Sequence, residues 1–252
     1  MRVEFSEIGQ VDDNKLEFAV ICASFQGKWI YVKHKKRSTW EIPGGHREIG
    51  EDINYTAKRE LFEETGAENF KIKAICDYSV TRDKPSYGRL FYAEVEKLGD
   101  LPDLEIGKIQ LFNELPEKLT YPEIQPFLYK KVLREIIKNK YIGKKVKVIM
   151  DRPFGSKHPE HGFVYPINYG YIPDTISGDG EEIDAYILGE FEPLKSFEGY
   201  VVAVISRKND NEDKLVVCKD FNKYNKDQIK VLTEFQERFF ESEIIMYGNK
   251  RC

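Results

Sequence analysis

From Leu16 to Ser24 and again from Lys28 to Val32 the chain strings together apolar and β-branched residues, with Gln26 and Gly27 between the runs. That pattern predicts a β-hairpin. Trp40 to Pro43 then leads into a double-glycine turn, after which the period changes. Ile53, Ala57 and Leu61 recur at i, i+4 and i+8, the stripe of an amphipathic helix over Asp52 to Thr65, and Gly66 stands where a C-cap glycine belongs. Strand-like runs return at Phe70 to Cys76, Gly88 to Val95 and Lys108 to Phe112. From Thr120 to Lys138 the stripe Ile124, Leu128, Val132 and Ile136 predicts a second helix, opened by a Thr120/Glu123 capping box. Pro126 lies in its first turns, so its start should be displaced or irregular.

The lysine-rich stretch Asn139 to Lys145 separates this helix from a new β run, Val146 to Met150, and marks a domain boundary that gives residues 1–140 and 141–252. Beyond it comes a Pro/Gly/Tyr-rich loop region to about Gly180, followed by strands at Asp184 to Leu188, Tyr200 to Ser206 and Lys214 to Cys218. A last helix is capped by Asn225 and Gln228 and carries Ile229, Leu232, Phe235 and Phe239 on its apolar side. Several short strands with one helix predict a small barrel.

Composition narrows the function classes. An apolar fraction of 41% in 252 residues is enough for real cores. A net charge of -4 gives no global attraction to nucleic acid or to an anionic membrane, so phosphate recognition must be local and DNA binding is not expected. The cysteines Cys22, Cys76, Cys218 and Cys252 form no CxxC pair and read as reduced thiols. No window approaches the roughly 18 apolar residues of a membrane span, and MRVEFSEIGQVDD has no apolar signal-like core, so a cytoplasmic location is expected.

On the first helix Glu60, Glu63 and Glu64 stand at i, i+3 and i+4, so their carboxylates share one face within roughly 5–6 Å. Like charges so placed repel unless Arg59, nearby lysines or a bound cation offsets them. Oxygen-only ligands favour Mg²⁺ or Mn²⁺ over softer metals, and Mg²⁺ shares its shell with substrate phosphates. Gly44 and Gly45 leave room for backbone to approach a metal or phosphate, and Glu51 in the preceding loop can meet Arg59 or the metal. An ordinary solvated helix face would explain three glutamates alone.

The full spacing of GHREIGEDINYTAKRELFEETGA resembles the Nudix hydrolase signature: Gly45, Glu51, Arg59, Glu60, Leu61, Glu63, Glu64 and Gly66 fit in register, with small Ala67 as the weakest position. The resemblance implies a mixed-sheet α/β/α sandwich and magnesium-dependent cleavage of a nucleoside diphosphate linked to another group. It implies Glu60, Glu63 and Glu64 as metal ligands, Arg59 as their orienting group, and Glu51 as a nearby ligand or general base. Gly45 would offer its backbone to the metal, and Glu105 is the expected acidic residue from outside the box. WEIPGG, YGRLFYAEV and ELPEKLTYPEIQPFLYKKV further resemble a bacterial branch that converts nucleoside triphosphates, including oxidised purine forms such as 8-oxo-dGTP, to monophosphate and pyrophosphate. Tyr87, Tyr92 and Tyr121 are candidates to stack on a base, although aromatics of this kind are more often core or rim residues.

In YPINYGYIPDTISGDGEEIDAYILG, Asp179, Glu181 and Asp184 surround Gly180 at i, i+2 and i+5, a spacing that lets a turn gather three carboxylates. The block resembles the soluble inorganic pyrophosphatases, in which an acidic turn follows an Asn-Tyr-Gly-aromatic loop, here Asn168 to Tyr171. Glu181 and Glu182 depart from that family's aspartate and proline, and its early phosphate-binding lysine has no evident counterpart. The resemblance implies an OB-like five-stranded barrel with a C-terminal helix, and so an α+β chain as a whole. It implies Asp179, Glu181, Asp184 and Asp213 as metal ligands, and Tyr169, Lys214 and Arg152 on phosphate. Together the two blocks suggest that one domain releases pyrophosphate and the other hydrolyses it. The alternatives are a Nudix hydrolase for ADP-ribose, a dinucleoside polyphosphate or RNA 5′ ends beside a non-catalytic second domain, and a nucleotide-sensing binding protein. A homodimer is compatible with either resemblance.

Overall fold

The computed structural model describes every residue except Ile176, Gly178, Asp179, Lys208, Asn209, Asn211 and 249–252. The chain divides into two compact units, Met1–Val132 and Leu133–Cys252. In the first unit β1 (Arg2–Ser6), β2 (Leu16–Phe25), β3 (Lys28–His34), β4 (Gly44–His46), β5 (Ala67–Thr81), β6 (Pro85–Leu98) and β7 (Ile106–Phe112) share one sheet. Their order is β1-β5-β6-β2-β3-β7, with β4 paired to β2. The sheet is mixed because β2 runs parallel to β6. Gln26 and Gly27 both adopt positive φ, 51° and 76°, as a tight turn between right-twisted strands requires.

Alternation along the strands sorts the two faces. Ala19, Ile21 and Ala23 of β2 and Phe91, Ala93 and Val95 of β6 meet Ile53, Ala57 and Leu61 of α1 (Ile53–Thr65) in one core cluster. Those three helical residues are fully buried, and each large aliphatic one contributes roughly 1.5–3 kcal/mol of transfer free energy. On the other face, Trp29 of β3 packs its ring 5.0 Å from that of Tyr129 in α2 (Gln125–Tyr141). The expected Thr120/Glu123 capping box does not form. Thr120 Oγ1 bonds instead to Thr39 Oγ1 at 2.6 Å, and the helix starts at Gln125 with Pro126 in its first turn, where a missing N–H leaves no intrahelical bond unmade. The double-glycine turn is in fact a short strand, β4, because Gly44 and Gly45 pair with β2.

The second unit contains β8 (Lys145–Arg152), β9 (Asn168–Ile172), β10 (Ile183–Ile187), β11 (Ser196–Arg207), β12 (Lys214–Cys218), α3 (Lys226–Glu237) and β13 (Ser242–Met246). Strand order is β12-β10-β9-β8-β11-β13, and an additional β12–β11 pairing closes five strands into a barrel. All five residues of β12 are buried. Ile137 and Tyr141 from the end of α2 join a core cluster with Val148, Ile187 and Val217, and Ile229 of α3 joins another with Tyr186, Val202 and Val216. Asn225 and Gln228 form the expected reciprocal capping box. Phe239, expected on the apolar side of that helix, lies beyond its end and is exposed. The region expected to be all loop contains β9, and Gly170 is why: a Cβ there would stand 1.9 Å from the Ile149 carbonyl oxygen, so two strands approach where any side chain would block them. The whole is the α+β arrangement expected, a mixed-sheet sandwich followed by a small OB-like barrel with a helix. Among the described residues no helix is long and apolar enough to cross a membrane.

Candidate active site

Both ends of α1 are fixed by local chemistry. Asp52 caps the start, its Oδ1 accepting from the Asn54 N–H at 2.9 Å, and Gly66 ends it at φ 70°, donating to the Phe62 carbonyl. The rotation this sets brings the box residues to one side, with Arg59 as their hub. Arg59 Nε donates to Glu51 Oε1 at 2.8 Å, Nη2 to Glu51 Oε2 at 3.0 Å and to the His46 carbonyl at 3.1 Å. Its Nη1 donates to Glu60 Oε1 at 2.8 Å and Glu63 Oε2 at 3.1 Å. The planar fork thus ties loop, strand and helix together.

These partners separate the carboxyl groups chemically. Hydrogen bonds from Arg59 hold Glu51 well below the usual carboxylate range, at about 2. Burial raises Glu60, with Arg59 opposing it. Glu64 turns away from Arg59 and accepts only the Gly44 N–H among the hydrogen bonds found, at 2.8 Å; burial pushes it up to about 8, helped by the charges of Glu60, Glu41 and Glu105. Gly45 is the seat of Glu60. A Cβ on it would fall 2.3 Å from Glu60 Oε1.

Glu105 is largely exposed and lies 3.6 Å from His34 Nε2, acting on Glu64 through its charge alone. Among the described residues no three His, Cys, Asp or Glu side chains converge on one point as a finished cage. The donor set nonetheless fits a hard divalent cation: all oxygens, partly buried, with Glu64 a carboxyl that Arg59 does not reach and that a bound cation would hold ionised.

A cleft of about 290 Å³ opens beside this cluster, lined by Phe18 and Val20 of β2, Gly44 and Gly45 of β4, and Tyr121 and Gln125 among others. Of the three tyrosines singled out from sequence, Tyr121 lines it. Tyr87 packs on the core under α1, and Tyr92 bonds Ser24 Oγ at 2.9 Å. Phe18, whose ring lies 4.4 Å from that of His46, also lines the cleft, although in sequence an aromatic residue in a strand reads as core.

In the second unit Asp184 Oδ2 accepts from the Tyr169 hydroxyl and from Lys214 Nζ, the latter at 2.6 Å, and Lys214 also pairs with Glu212. Lys214 Nζ stands 5.8 Å from the Tyr169 ring centre. Burial raises Glu212 to about 7 against the pull of Lys214. Asp213, expected in this cluster, is not there: it is buried beside Arg134 Nε at 3.3 Å and accepts the Arg207 N–H at 3.2 Å. Side chains alternate along an extended chain, so Glu212 shares a side with Lys214 and Asp213 points away. Asp179 lies outside the described residues. Glu181 is exposed, and its carbonyl accepts the Ser177 N–H at 2.7 Å. Arg152 turns to Asp151 Oδ1 at 2.6 Å instead of to the Tyr169, Asp184 and Lys214 group. Asn168, by contrast, is structural: its Oδ1 accepts from Phe154 and Leu194, and its Nδ2 donates to the carbonyls of Glu190 and Glu192.

The family model for the NUDIX domain matches residues 13–130, and that for inorganic pyrophosphatase matches residues 132–245. A putative 8-oxo-dGTP diphosphatase of Bacillus subtilis is 37% identical over 113 residues, 44% of this chain and 70% of the relative. An inorganic pyrophosphatase of Methanosarcina acetivorans is 40% identical over 98 residues, covering 34% of this chain and 54% of that protein. The crystal structure of a Bacillus subtilis pyrophosphohydrolase covers 53% of this chain and 90% of its own, at 27% identity and a TM-score of 0.46. A match to more than two thirds of the first relative at that identity, with the NUDIX model spanning Arg59 and its glutamates, has one reading: the chain belongs to the Nudix hydrolase family, and its second half is similar to inorganic pyrophosphatases.

Proposed function

We propose that residues 1–140 hydrolyse nucleoside triphosphates, oxidised purine forms such as 8-oxo-dGTP among them, to monophosphate and pyrophosphate, and that residues 141–252 hydrolyse the pyrophosphate. The observation that carries the first half is the continuity of the cleft. Phe18, Tyr121 and Gln125 line it together with Gly44 and Gly45, where Glu60 and Glu64 stand. A base held against the aromatic lining leaves its phosphates within reach of the glycine strand and the carboxylates beside it. The name of the Bacillus subtilis relative supports the same substrate.

Mg²⁺ held by Glu60, Glu63 and Glu64, with the Gly45 carbonyl and Glu105 as further oxygen donors, would polarise the phosphoryl oxygens and lower the pKa of a bound water. Arg59 keeps Glu60 and Glu63 aimed and Glu51 ionised. The proton of the attacking water passes to a carboxylate of this cluster. In the second domain Lys214 and the Tyr169 hydroxyl face Asp184, a cation and a donor beside an acidic group, which suits a phosphate anion and a divalent cation bound together.

The test follows products from the full chain with Mg²⁺ and a panel of nucleoside triphosphates, ADP-ribose, a dinucleoside polyphosphate and 5′-triphosphorylated RNA. Nucleoside triphosphate should yield monophosphate and orthophosphate. Asp184→Asn should yield monophosphate with accumulating pyrophosphate, and Glu63→Gln neither product. Stoichiometric pyrophosphate from the unaltered chain overturns the coupling, and preferred cleavage of another panel member overturns the substrate.

A further inference from the structure

Arg47 stands on the loop 47–51, which leads from β4 to Glu51 and α1, and lies outside the lining of the cleft. The tip of that loop has little to hold it. Ile49 is fully exposed, and Gly50 adopts φ 85° with no described atom within 4 Å of the place a Cβ would take. Inside the loop, Glu51 N–H donates to the Glu48 carbonyl at 3.1 Å and Glu48 N–H to Glu51 Oε2 at 3.2 Å, both at the long end for such bonds. Arg47 spans the gap. Its backbone N–H donates to the Glu17 carbonyl of β2 at 2.8 Å, and its Nε to the Glu51 carbonyl at 2.6 Å. The same guanidinium reaches the short 3-10 helix Asp13–Lys15, where Nη1 donates to the Asp13 carbonyl at 2.5 Å and Nη2 lies 3.1 Å from Asp13 Oδ2. Both ends of the loop are thereby fixed to the segment that opens β2.

We infer that Arg47 is a positioning residue for the hydrolytic reaction: it holds the backbone of Glu51 so that the Glu51 carboxylate meets Arg59, which in turn aims Glu60 and Glu63. This rests on the Mg²⁺-dependent hydrolysis proposed above. The path is continuous. It passes from the Glu51 carbonyl bound by Arg47, through the two Arg59 bonds to the Glu51 carboxylate, to Arg59 Nη1 on Glu60 and Glu63. Arg47 itself meets no reacting group, so it acts by geometry alone. The Asp13 carboxylate is more than half exposed, and an ion pair so placed contributes little. Charge-assisted bonds to two backbone carbonyls, by contrast, fix a position, and one of those carbonyls belongs to the residue that anchors Arg59.

The experiment compares the full chain with Arg47→Met, Arg47→Lys and Asp13→Asn, each checked for melting. Nucleoside triphosphate cleavage is followed against nucleotide and Mg²⁺ concentration. Electron paramagnetic resonance gives the Mn²⁺ affinity of the nucleotide-free chain, and ¹⁵N NMR gives hydrogen exchange at Arg59 Nε–H. Arg47→Met should lower kcat roughly 10- to 100-fold, as a displacement of about 1 Å in the catalytic carboxylates would, with the nucleotide KM unchanged. Its Mn²⁺ affinity should fall, and exchange at Arg59 should quicken roughly 10-fold. Arg47→Lys, whose single head can keep the Glu51 carbonyl, should fall between Arg47→Met and the unaltered chain. Asp13→Asn leaves both backbone carbonyls in place and should change none of these readouts. In a Glu51→Gln background Arg47→Met should cost little more, because the two share one path. Lower melting with kcat, Mn²⁺ affinity and Arg59 exchange all unchanged would reduce Arg47 to a stabilising residue and overturn the inference, as would a loss confined to KM or full additivity with Glu51→Gln. If the unaltered chain cleaves no nucleotide, the hydrolytic reading falls on its own; quickened Arg59 exchange in Arg47→Met then still upholds the link from Arg47 to Arg59, and unchanged exchange overturns it.

Discussion

Substituting Gly45 by alanine isolates the seat of Glu60 from everything else the box does. The added Cβ would lie 2.3 Å from Glu60 Oε1, 2.4 Å from Cδ and 2.6 Å from Oε2, so all three carboxylate atoms must retreat. Restoring ordinary contact needs a shift of about 1 Å, and displacement of that size in a catalytic group costs about 100-fold in rate. Gly45 is not at positive φ, so alanine fits the backbone and even narrows the unfolded ensemble, by about 0.4–1 kcal/mol. The fold should therefore survive while the chemistry does not. Pyrophosphate release measured against Mg²⁺ concentration should show kcat falling by one to two orders of magnitude and the Mg²⁺ requirement rising. The melting temperature of the first domain should move by only a few degrees. Glu60→Gln with Gly45→Ala should be little worse than Glu60→Gln alone, because both act through one carboxylate. Unchanged Mg²⁺ dependence in Gly45→Ala, or full additivity in the double variant, would refute the assignment of Glu60.

Three further outcomes follow. Glu51 is depressed from 4.5 to about 2, so the stability its ionised form contributes is complete above about pH 4.5 and is lost as pH falls from there toward 2. Glu51→Gln should therefore melt with less dependence on pH across that window, and parallel melting curves would contradict the Arg59 hub. Gly170→Ala drives a Cβ to 1.9 Å from the Ile149 carbonyl oxygen and should destabilise the barrel by roughly 1–3 kcal/mol, read as a lower denaturant midpoint for the second domain, with nucleotide cleavage intact. Glu212→Gln should slow orthophosphate formation more than Asp213→Asn does, whereas Asp213→Asn should mainly lower stability; the reverse order would restore Asp213 to the site.

Most of the fold was legible because its signals are local. The Gln26-Gly27 turn, the Ile53, Ala57, Leu61 stripe and the Asn225/Gln228 box each depend on residues within a few positions, and each has its expected structure. What escaped was set by distant neighbours. β4 and β9 look like glycine-rich loops in sequence, and they are strands because Gly44 and Gly170 let another strand come closer than a Cβ allows. Gln125 looks like a polar residue at a helix start, and only the cleft around it shows that its carbonyl is buried and unpaired. Strand alternation distinguishes Glu212 from Asp213. With Lys214 placed in the site, a period of two already selects Glu212.

The same comparison sharpens why the box needs a cation. From spacing alone, Glu60, Glu63 and Glu64 repel as a set, and any positive charge would serve. In the structure Arg59 serves two of them, together with Glu51, and has no bond to the third. Glu64 keeps one amide donor, and its carboxyl is raised to about 8 by burial. A second fixed arginine beside it would hold it ionised permanently and occupy the place of an exchangeable cation. Under the proposed metal role, the one glutamate that Arg59 does not reach is where an exchangeable divalent ion would bind in place of a closed salt-bridge network. The second domain divides its charges the same way: Lys214 holds Asp184 and Glu212, yet Glu212 is still raised to about 7. In both domains a resident cation orders neighbouring carboxylates while burial leaves one carboxyl favouring its protonated form, and a bound metal would displace that proton.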